Sequence, residues 1–289
     1  MTIQILHHNH NLVSPYFTEY TQSDNPEIIV SGAKQKLPAE VLQRYTKLQY
    51  IIQCSNGIDN IDTAYCTKKG IQIFNAPTAN INATAEHAVA LMLALLRHIP
   101  AANADVRAGN WHREQFVGKE LSDLKVGIVG FGKVGQLVYK KLQGFEPEFF
   151  IYDQAVEQTW ICDYEQCSAV SFEELLSQSD IITIHLPLMD ETRHLFSEKE
   201  FAKMKDGALL INTARGGIID EEALLRVLKT GKISAALDVF PDEPNVNPKF
   251  IQLNNVILSP HIASMTEGAQ RRMIEEAKEH FERAIAQQR

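Results

Sequence analysis

Gly130, Gly132 and Gly135 stand in the spacing Gly-x-Gly-x-x-Gly, and Asp153 follows 18 positions after the last of them. Each of these residues has a physical task beside a phosphate-bearing ligand. The first glycine allows a tight turn, the second lets the backbone approach a pyrophosphate, and the third lets a helix pack closely on a strand. A helix that starts at this point offers unpaired N–H groups to the phosphates. An acid at the end of the next strand accepts hydrogen bonds from an adenosine ribose and repels a 2′-phosphate. Asp153 is followed by Gln154-Ala-Val156 with no arginine, which favours NAD over NADP. A glycine spacing alone is a weak signal, but strand, loop, helix, strand and acid in register make it specific.

Three other groups carry chemistry. Arg215 follows the apolar run Leu209-Leu-Ile-Asn212 and precedes Gly216-Gly217. Glu243 lies in Asp238-Val-Phe-Pro-Asp-Glu-Pro244. His261 closes Val256-Ile-Leu-Ser259 and precedes Ile262-Ala-Ser264. Taken singly, each reads as a surface arginine, a loop acid and a hydrogen-bonded histidine. His7, His8 and His10 invite a metal reading, but no cluster of acids or thiols lies near them in sequence, so they read as a solvated loop and no metal is expected.

The elements that must position these residues alternate between strand and helix. Short apolar runs at Ile3–Leu6, Glu27–Val30, Leu48–Cys54 and Ile71–Phe74 read as strands, and 38–45 and 61–69 have helical spacing. This first module has no glycine fingerprint. One long helical stretch is expected from Thr84 to Ala108, containing the apolar run Ala88–Leu96. A second strand–helix series follows, with strands at 126–129, 149–152, 181–186, 208–212, 234–239 and 256–258. Ser171-Phe-Glu-Glu174 and Ser197-Glu-Lys-Glu200 match the capping box that opens a helix, and a charged amphipathic helix runs from Thr266 to Gln288. The alternation predicts parallel sheets of the α/β class. Dinucleotides bind beyond the carboxyl ends of such strands, where Thr213-Ala-Arg215, Asp238 and Pro260-His261 fall.

Bulk properties narrow the field. The chain has 289 residues, 45% hydrophobic and 22% charged, with a formal net charge of -8. That is an ordinary globular composition of a length for two domains, and its acidic balance argues against nucleic acid as a partner. The longest apolar run falls short of the roughly 20 residues of a membrane span, so no membrane association is expected. The start lacks the basic residues and apolar stretch of a secretory leader. With that reading, Cys54, Cys66, Cys162 and Cys167, none in a Cys-x-x-Cys pair, are expected as free thiols in the cytoplasm.

Over nearly its whole length the sequence resembles the NAD-dependent D-isomer-specific 2-hydroxyacid dehydrogenases, with phosphoglycerate dehydrogenases and glycerate or hydroxypyruvate reductases nearest. The resemblance runs through Asn56-Gly-Ile-Asp-Asn-Ile-Asp62, Asn75-Ala-Pro77, Ala85-Glu-His87, Gly130-Phe-Gly-Lys-Val-Gly135 and His185-Leu-Pro187. It continues through Ile211-Asn-Thr-Ala-Arg-Gly-Gly-Ile-Ile-Asp220, Ala236-Leu-Asp-Val-Phe240 and Ser259-Pro-His-Ile-Ala263.

The resemblance implies two Rossmann-like parallel-sheet domains. The NAD-binding domain (98–265) would be inserted into a flavodoxin-like substrate domain (1–97 plus 266–289), with a cleft between them and the tail helix returning to the first module. It implies that Arg215 grips the carboxylate of a small 2-hydroxy or 2-keto acid, with backbone N–H groups at Asn56 and Gly57 on its other side. His261 would be the acid–base group at the C2 oxygen, and Glu243 would orient its ring and favour the protonated form. Lys133 and Val134 would face the pyrophosphate and Asp238 the carboxamide, and the cofactor site would take in His185, Pro187, Thr192, Thr213 and Ala214. His87 is expected to pack at the start of its helix.

A homodimer built on the long helix is expected, and no regulatory domain after the tail helix. Phosphoglycerate dehydrogenases carry basic groups after the second strand for a distal phosphate; here that stretch is Ser31-Gly-Ala-Lys-Gln-Lys36, offering Lys34 and Lys36. Some relatives are NAD-sensing corepressors with little turnover, and that reading stands as the alternative. Relatives that oxidise formate pair glutamine with the histidine, which Glu243 argues against.

Overall fold

A computed structural model of the chain describes residues 1–154 and 164–288; Cys162 lies outside them. Two compact units emerge, Met1–Ala83 with Ser264–Arg289, and Thr84–Ala263.

Unit 1 is built on β1 (Thr2–Ile5), β2 (Thr21–Gln22), β3 (Ile28–Ser31), β4 (Tyr50–Gln53) and β5 (Gln72–Asn75). They form one parallel sheet in the order β2-β1-β3-β4-β5, the flavodoxin-like order. Every residue of β3 and β4 is buried, as expected of parallel strands covered on both faces. The period of two sorts them. Ile28, Val30, Tyr50 and Ile52 face Met273, Ile274, Ala277 and Phe281 of the last helix, numbered α10 below (Glu267–Gln288). Ile29 and Ile51 face Leu37, Leu42, Ile61 and Cys66, from around the short helices α2 (Ala39–Leu42) and α3 (Thr63–Lys69). The first helix, α1 (His10–Val13), takes in His10, and His7 and His8 stack with ring centroids 4.4 Å apart. α3 is bounded by its chemistry: the Asp62 carboxylate accepts the Tyr65 N–H at 2.8 Å, and Gly70 ends the helix in the left-handed region, φ +70°.

Unit 2 carries β6 (Lys125–Val129), β7 (Glu148–Tyr152), β8 (Cys167–Ala169), β9 (Ile181–Ile184), β10 (Ala208–Asn212), β11 (Ile233–Leu237) and β12 (Val256–Leu258). All are parallel, in the order β12-β11-β10-β9-β6-β7-β8. The strand order reverses at β6, and ligands of open α/β sheets bind at such a point. Helices α4 (Ile81–Leu96) and α6 (Lys133–Leu142) cover the face of Val126, Ile128, Phe149 and Ile151. Helices α7 (Phe172–Gln178), α8 (Glu198–Lys203) and α9 (Glu221–Lys229) cover the face of Phe150, Ile182, Leu210 and Leu237. Of the two expected capping boxes, Ser197 with Glu200 closes one; at the other helix the Ser171 hydroxyl accepts the Glu174 N–H at 3.2 Å as a one-way N-cap.

The structure departs from the sequence reading in three places. The long helix is two helices, α4 and α5 (Ile99–Arg107), bent by 60°. His98 stands between them at φ +53° and Pro100 opens α5; proline has no N–H to continue a helix. The boundary between units falls at Ala83, not near 97, because Ala85, Ala88, Leu91, Met92 and Leu95 pack into the core around β6. The second boundary falls at Ala263, two residues before the expected one. β2 and β8 are strands of two and three residues with no apolar alternation to announce them. No single helix among the described residues is long and apolar enough to cross a membrane.

Phe281 is 1% exposed and lies edge-on to Tyr50 and Phe74, with centroids 5.4 and 5.7 Å away. Phe281→Ala should therefore destabilise unit 1 by about 3–5 kcal/mol, read by urea denaturation. A loss under about 1 kcal/mol would place α10 off the sheet.

Candidate active site

The glycine loop does what its spacing requires. Gly130 leaves β6 at φ +95°, and a Cβ there would lie 2.8 Å from the carbonyl carbon of His185. A Cβ on Gly135 would meet the carbonyl oxygen of Gly130 at 2.1 Å, so α6 reaches this close to β6 only without a side chain. Gly132 differs: a Cβ there meets nothing within 4 Å. It is the N-cap of α6 and provides no side-chain cap. The first N–H groups of the helix, on Lys133 and Val134, thus have no intrahelical partner. Asp153 follows β7, and its Oδ2 accepts the Phe131 N–H at 2.6 Å, tying the acid to the loop.

Two buried polar atoms at the same edge of the sheet lack a partner in the structure. Nδ1 of His185, after β9, and Oγ1 of Thr213, after β10, make no hydrogen bond among the described residues. The other ring nitrogen of His185 lies 2.9 Å from Thr183 Oγ1, and burial pushes its pKa down to about 3, so the ring is neutral. Orphaned polar atoms in a native fold call for a ligand or water. Together with the open space over Gly132 and the uncapped helix, they fit a dinucleotide. Pro187 is exposed and Ala214 half-buried at that edge. Thr192 is buried and spent on the loop itself, its hydroxyl donating to Pro187 O at 2.7 Å and accepting the Met189 N–H at 2.8 Å.

The acid–base pair lies further along the same sheet. Nδ1 of His261 is 2.6 Å from Glu243 Oε2, and Glu243 Oε1 accepts the Phe240 N–H at 3.0 Å. Burial raises the Glu243 carboxyl, but the hydrogen bonds from His261 and Phe240, with the His261 charge, hold it below the usual carboxylate range. The pairing leaves Nε2 of His261 for another partner.

Asp238, expected from the sequence at the nicotinamide carboxamide, also holds the loop that carries His261. It is fully buried at the end of β11, and its oxygens are taken up by the His261 loop. Oδ1 accepts from Ser259 Oγ at 2.5 Å and Ile262 N–H at 2.9 Å, and Oδ2 from Ala263 N–H at 2.9 Å. His87 Nε2 lies 3.3 Å from Oδ1. Burial alone would raise this carboxyl; the donors, His87 first among them, keep it below its usual value.

Arg215 is aimed by a third buried polar residue. Asn212 ends β10, 1% exposed; its Oδ1 accepts the Ala214 N–H and its Nδ2 donates to Arg215 O, both at 3.0 Å. The Arg215 Nη1 donates to Ala214 O at 2.8 Å. Next to it, a Cβ on Gly216 would come within 2.1 Å of the Phe240 carbonyl carbon, so the arginine turn lies directly on the segment that carries Glu243. Arg215, Glu243 and His261 are thus carried by neighbouring strand ends of unit 2.

Asn56 and Gly57 follow β4 in unit 1. There Gln53, fully buried, donates to Ser55 Oγ at 2.8 Å and Asn60 Oδ1 at 3.0 Å, and Ser55 Oγ donates to Gly57 O at 2.9 Å. Asn75 Nδ2 donates to Asn56 O at 2.7 Å. Gln53, Asn212 and Ser259 are site residues that the sequence motifs do not single out. Their signal is a polar side chain closing an otherwise apolar strand run.

The glycine cradle, the uncapped helix and the unpartnered strand-end atoms define a dinucleotide-binding doubly wound α/β protein. Residues 89–263 match the model of the D-isomer specific 2-hydroxyacid dehydrogenase NAD-binding domain. The chain belongs to the D-isomer specific 2-hydroxyacid dehydrogenase family, and its cofactor is NAD.

It is 42% identical over 246 residues to a D-3-phosphoglycerate dehydrogenase of Archaeoglobus fulgidus, across 84% of this chain and 46% of that protein. A hydroxypyruvate reductase of Thermotoga maritima is 39% identical over 251 residues, 86% of this chain and 81% of the relative. The chain thus spans about half the length of the phosphoglycerate dehydrogenase it matches and most of the reductase. Among solved structures, an Aquifex aeolicus D-lactate dehydrogenase complexed with NAD and lactic acid superimposes with a TM-score of 0.87 at 28% identity, over 99% of this chain and 96% of that one.

The second and third glycines give opposite expectations. Gly132→Ala should cost stability about 1 kcal/mol or less, from the poorer N-cap alone, since nothing opposes the methyl group, yet weaken NADH binding in a fluorescence titration. Gly135→Ala should lower the melting temperature, because the methyl group meets the Gly130 carbonyl. A Gly132→Ala protein that binds NADH as the wild type does would remove the pyrophosphate from this loop.

Proposed function

We propose that the protein is an NAD-dependent oxidoreductase that transfers hydride between the cofactor and a small D-2-hydroxy acid or its 2-keto acid. The observation that carries the reading is the 2.6 Å contact between His261 Nδ1 and Glu243, which leaves Nε2 for substrate. Bound NAD(H) supplies the hydride donor or acceptor. Arg215 grips the substrate carboxylate through its planar guanidinium, and the backbone N–H groups of Asn56 and Gly57 are proposed as further donors to substrate. His261 Nε2 gives a proton to the C2 oxygen in ketone reduction and takes it back in alcohol oxidation. Glu243 holds the imidazolium that this exchange requires.

Unit 2 is the NAD-binding domain and unit 1 the substrate domain. The cofactor site comprises Gly130, Gly132, Lys133, Val134, Gly135, Asp153, His185, Pro187, Thr192, Thr213, Ala214 and Asp238, the last proposed at the carboxamide. The same reading gives a cytoplasmic homodimer. Ile99 and Val106 of α5, with Trp111 and Val117 after it, are all more than half exposed and support a subunit contact.

NADH absorbance followed with glyoxylate, pyruvate, hydroxypyruvate and 3-phosphohydroxypyruvate tests turnover and substrate together. Oxidation of NADH by at least one is expected; none with any 2-keto acid would favour the NAD-sensing alternative. Arg215→Lys should lose about 10²-fold or more in kcat/KM, because an ammonium cannot make the two-point contact, while NADH affinity stays near wild type. A lysine variant with wild-type kinetics would remove Arg215 from the substrate.

Glu243→Gln keeps a hydrogen bond but removes the charge that favours the imidazolium. Reduction needs the protonated ring, so its high-pH decline should move to lower pH. Oxidation needs the neutral ring, so its onset should move to lower pH as well. The measurement is kcat/KM against pH in both directions, and limbs that stay put or diverge would separate Glu243 from the proton transfer.

A further inference from the structure

His261 sits in a backbone conformation that few residues adopt. Its φ is +53°, in the left-handed region, where a non-glycine residue is strained and persists only if its surroundings hold it there. The hydrogen bond to Glu243 fixes the ring and leaves the backbone free. Asp238 fixes the backbone. Its carbonyl oxygen accepts the N–H of His261 itself at 2.8 Å, and its carboxylate takes Ser259 Oγ before the histidine and the N–H groups of Ile262 and Ala263 after it.

What holds Asp238 is a residue from outside this loop. His87, on α4, brings Nε2 to 3.3 Å from Asp238 Oδ1 and 3.2 Å from Ser259 Oγ. A carboxylate only accepts hydrogen bonds, so Nε2 carries the proton. Ser259 gives its own hydrogen to Asp238 at 2.5 Å and keeps a lone pair for the same imidazole N–H. One donor thus serves both members. The helix that brings it is rigid, since Ala85 and Ala88 on either side are fully buried in the core around β6. His87 makes no hydrogen bond with Glu243 among the described residues, so its influence on the acid–base pair passes through Asp238, which shapes the backbone of His261 and whose charge Glu243 also senses.

We propose that His87 is a positioning residue for the acid–base histidine: by donating to the Asp238–Ser259 pair it locks the left-handed backbone of His261 and thereby the aim of Nε2. The proposal rests on the functional reading above. Leaving Asp238 without this donor would leave a buried charge short of partners. The loop would relax toward ordinary backbone angles, and a displacement of about 1 Å at a reacting group costs about 10²-fold in rate.

The test compares wild type, His87→Leu, His87→Gln, His261→Ala and the double variant His87→Leu/His261→Ala. His87→Leu removes the donor and keeps the bulk, and glutamine offers an amide N–H at similar reach. His87→Leu should lower kcat by about tenfold to 10²-fold with KM for the keto acid and NADH affinity near wild type. His87→Gln should restore most of the loss. In the His261→Ala background the leucine should cost nothing further, since the residue it positions is gone. Wild-type kcat in His87→Leu, no rescue by glutamine, or full additivity with His261→Ala would each overturn the proposal.

A second readout needs no turnover. In protein labelled with 15N-histidine, the ring signals of His261 should lose the Nδ1-protonated form in His87→Leu and keep it in His87→Gln; unchanged signals in the leucine variant overturn the proposal. If wild type reduces no keto acid, the functional reading fails and this readout alone decides the role of His87. If His87→Leu does not fold, His87→Asn, whose shorter amide falls short of Asp238, takes its place under the same criteria.

Discussion

The buried carboxylate of Asp238 is the interaction on which the site depends. A charge removed from water at the end of a central strand is costly unless donors surround it, and here the donors come from the segment that must be shaped. Because Ser259, Ile262 and Ala263 all turn inward to the same carboxylate, the chain between them has one path. His261 is carried at its apex. The cost of burying the charge is offset by the hydrogen bonds, and the outcome is a unique loop on a rigid strand rather than a gain in stability. The same device recurs at lower charge. Asn212 folds the Arg215 turn through both ends of its amide, and Gln53 does so for the segment of Asn56 and Gly57 in unit 1. Each functional loop is held by one polar side chain that closes an apolar strand.

The dinucleotide half of unit 2 works by the opposite means, through what is left out. Gly130 and Gly135 remove side chains so that β6, α6 and the end of β9 can meet, and Gly132 leaves open space over a helix N-terminus. The bound group is recognised there by unpaired backbone N–H groups, with the unpartnered atoms of His185 and Thr213 further along the edge. Filling one glycine therefore disturbs the fold and filling another the ligand, although all belong to one motif.

Most of this architecture is legible in the amino-acid sequence. Strands with β-branched runs, such as Val126–Val129 and Ile181–Ile184, can be read directly, because burial on both faces of a parallel sheet demands them. The glycine spacing and the strand-end positions of Arg215 and His261 follow from the same pattern. What escapes is set by contacts distant in sequence. The break between α4 and α5 depends on His98 adopting a left-handed conformation, which apolar periodicity does not encode; Pro100 is the one local sign. β2 exists only because it pairs with β1, and its sequence Thr21-Gln22 has nothing to bury. The inward turn of Asp238 and its link to His87, 151 positions earlier in the chain, arise from the packing of α4 on the sheet. For that reason the sequence shows His87 only as a packed helix residue and Asp238 only as a ligand contact.

The electrostatics of the site have a common direction. Asp238 and Glu243 are both held below the usual carboxylate range, since the donors around each outweigh its burial. For an acid whose folded value is depressed, the stabilisation is present above its unfolded value and is lost only as pH falls through the folded one. The supports of the His261 loop thus stay charged well into the acid range. His185, pushed down to about 3 by burial, stays neutral over the same interval. Three ionisable groups around the site are thereby kept from changing charge near neutral pH, where an imidazole ordinarily titrates. On the proposed reading, this lets His261 exchange its proton with substrate while the carboxylates that aim it keep their geometry. An enzyme working in both directions needs that separation, because the loop must present the same Nε2 whether the ring arrives charged or neutral.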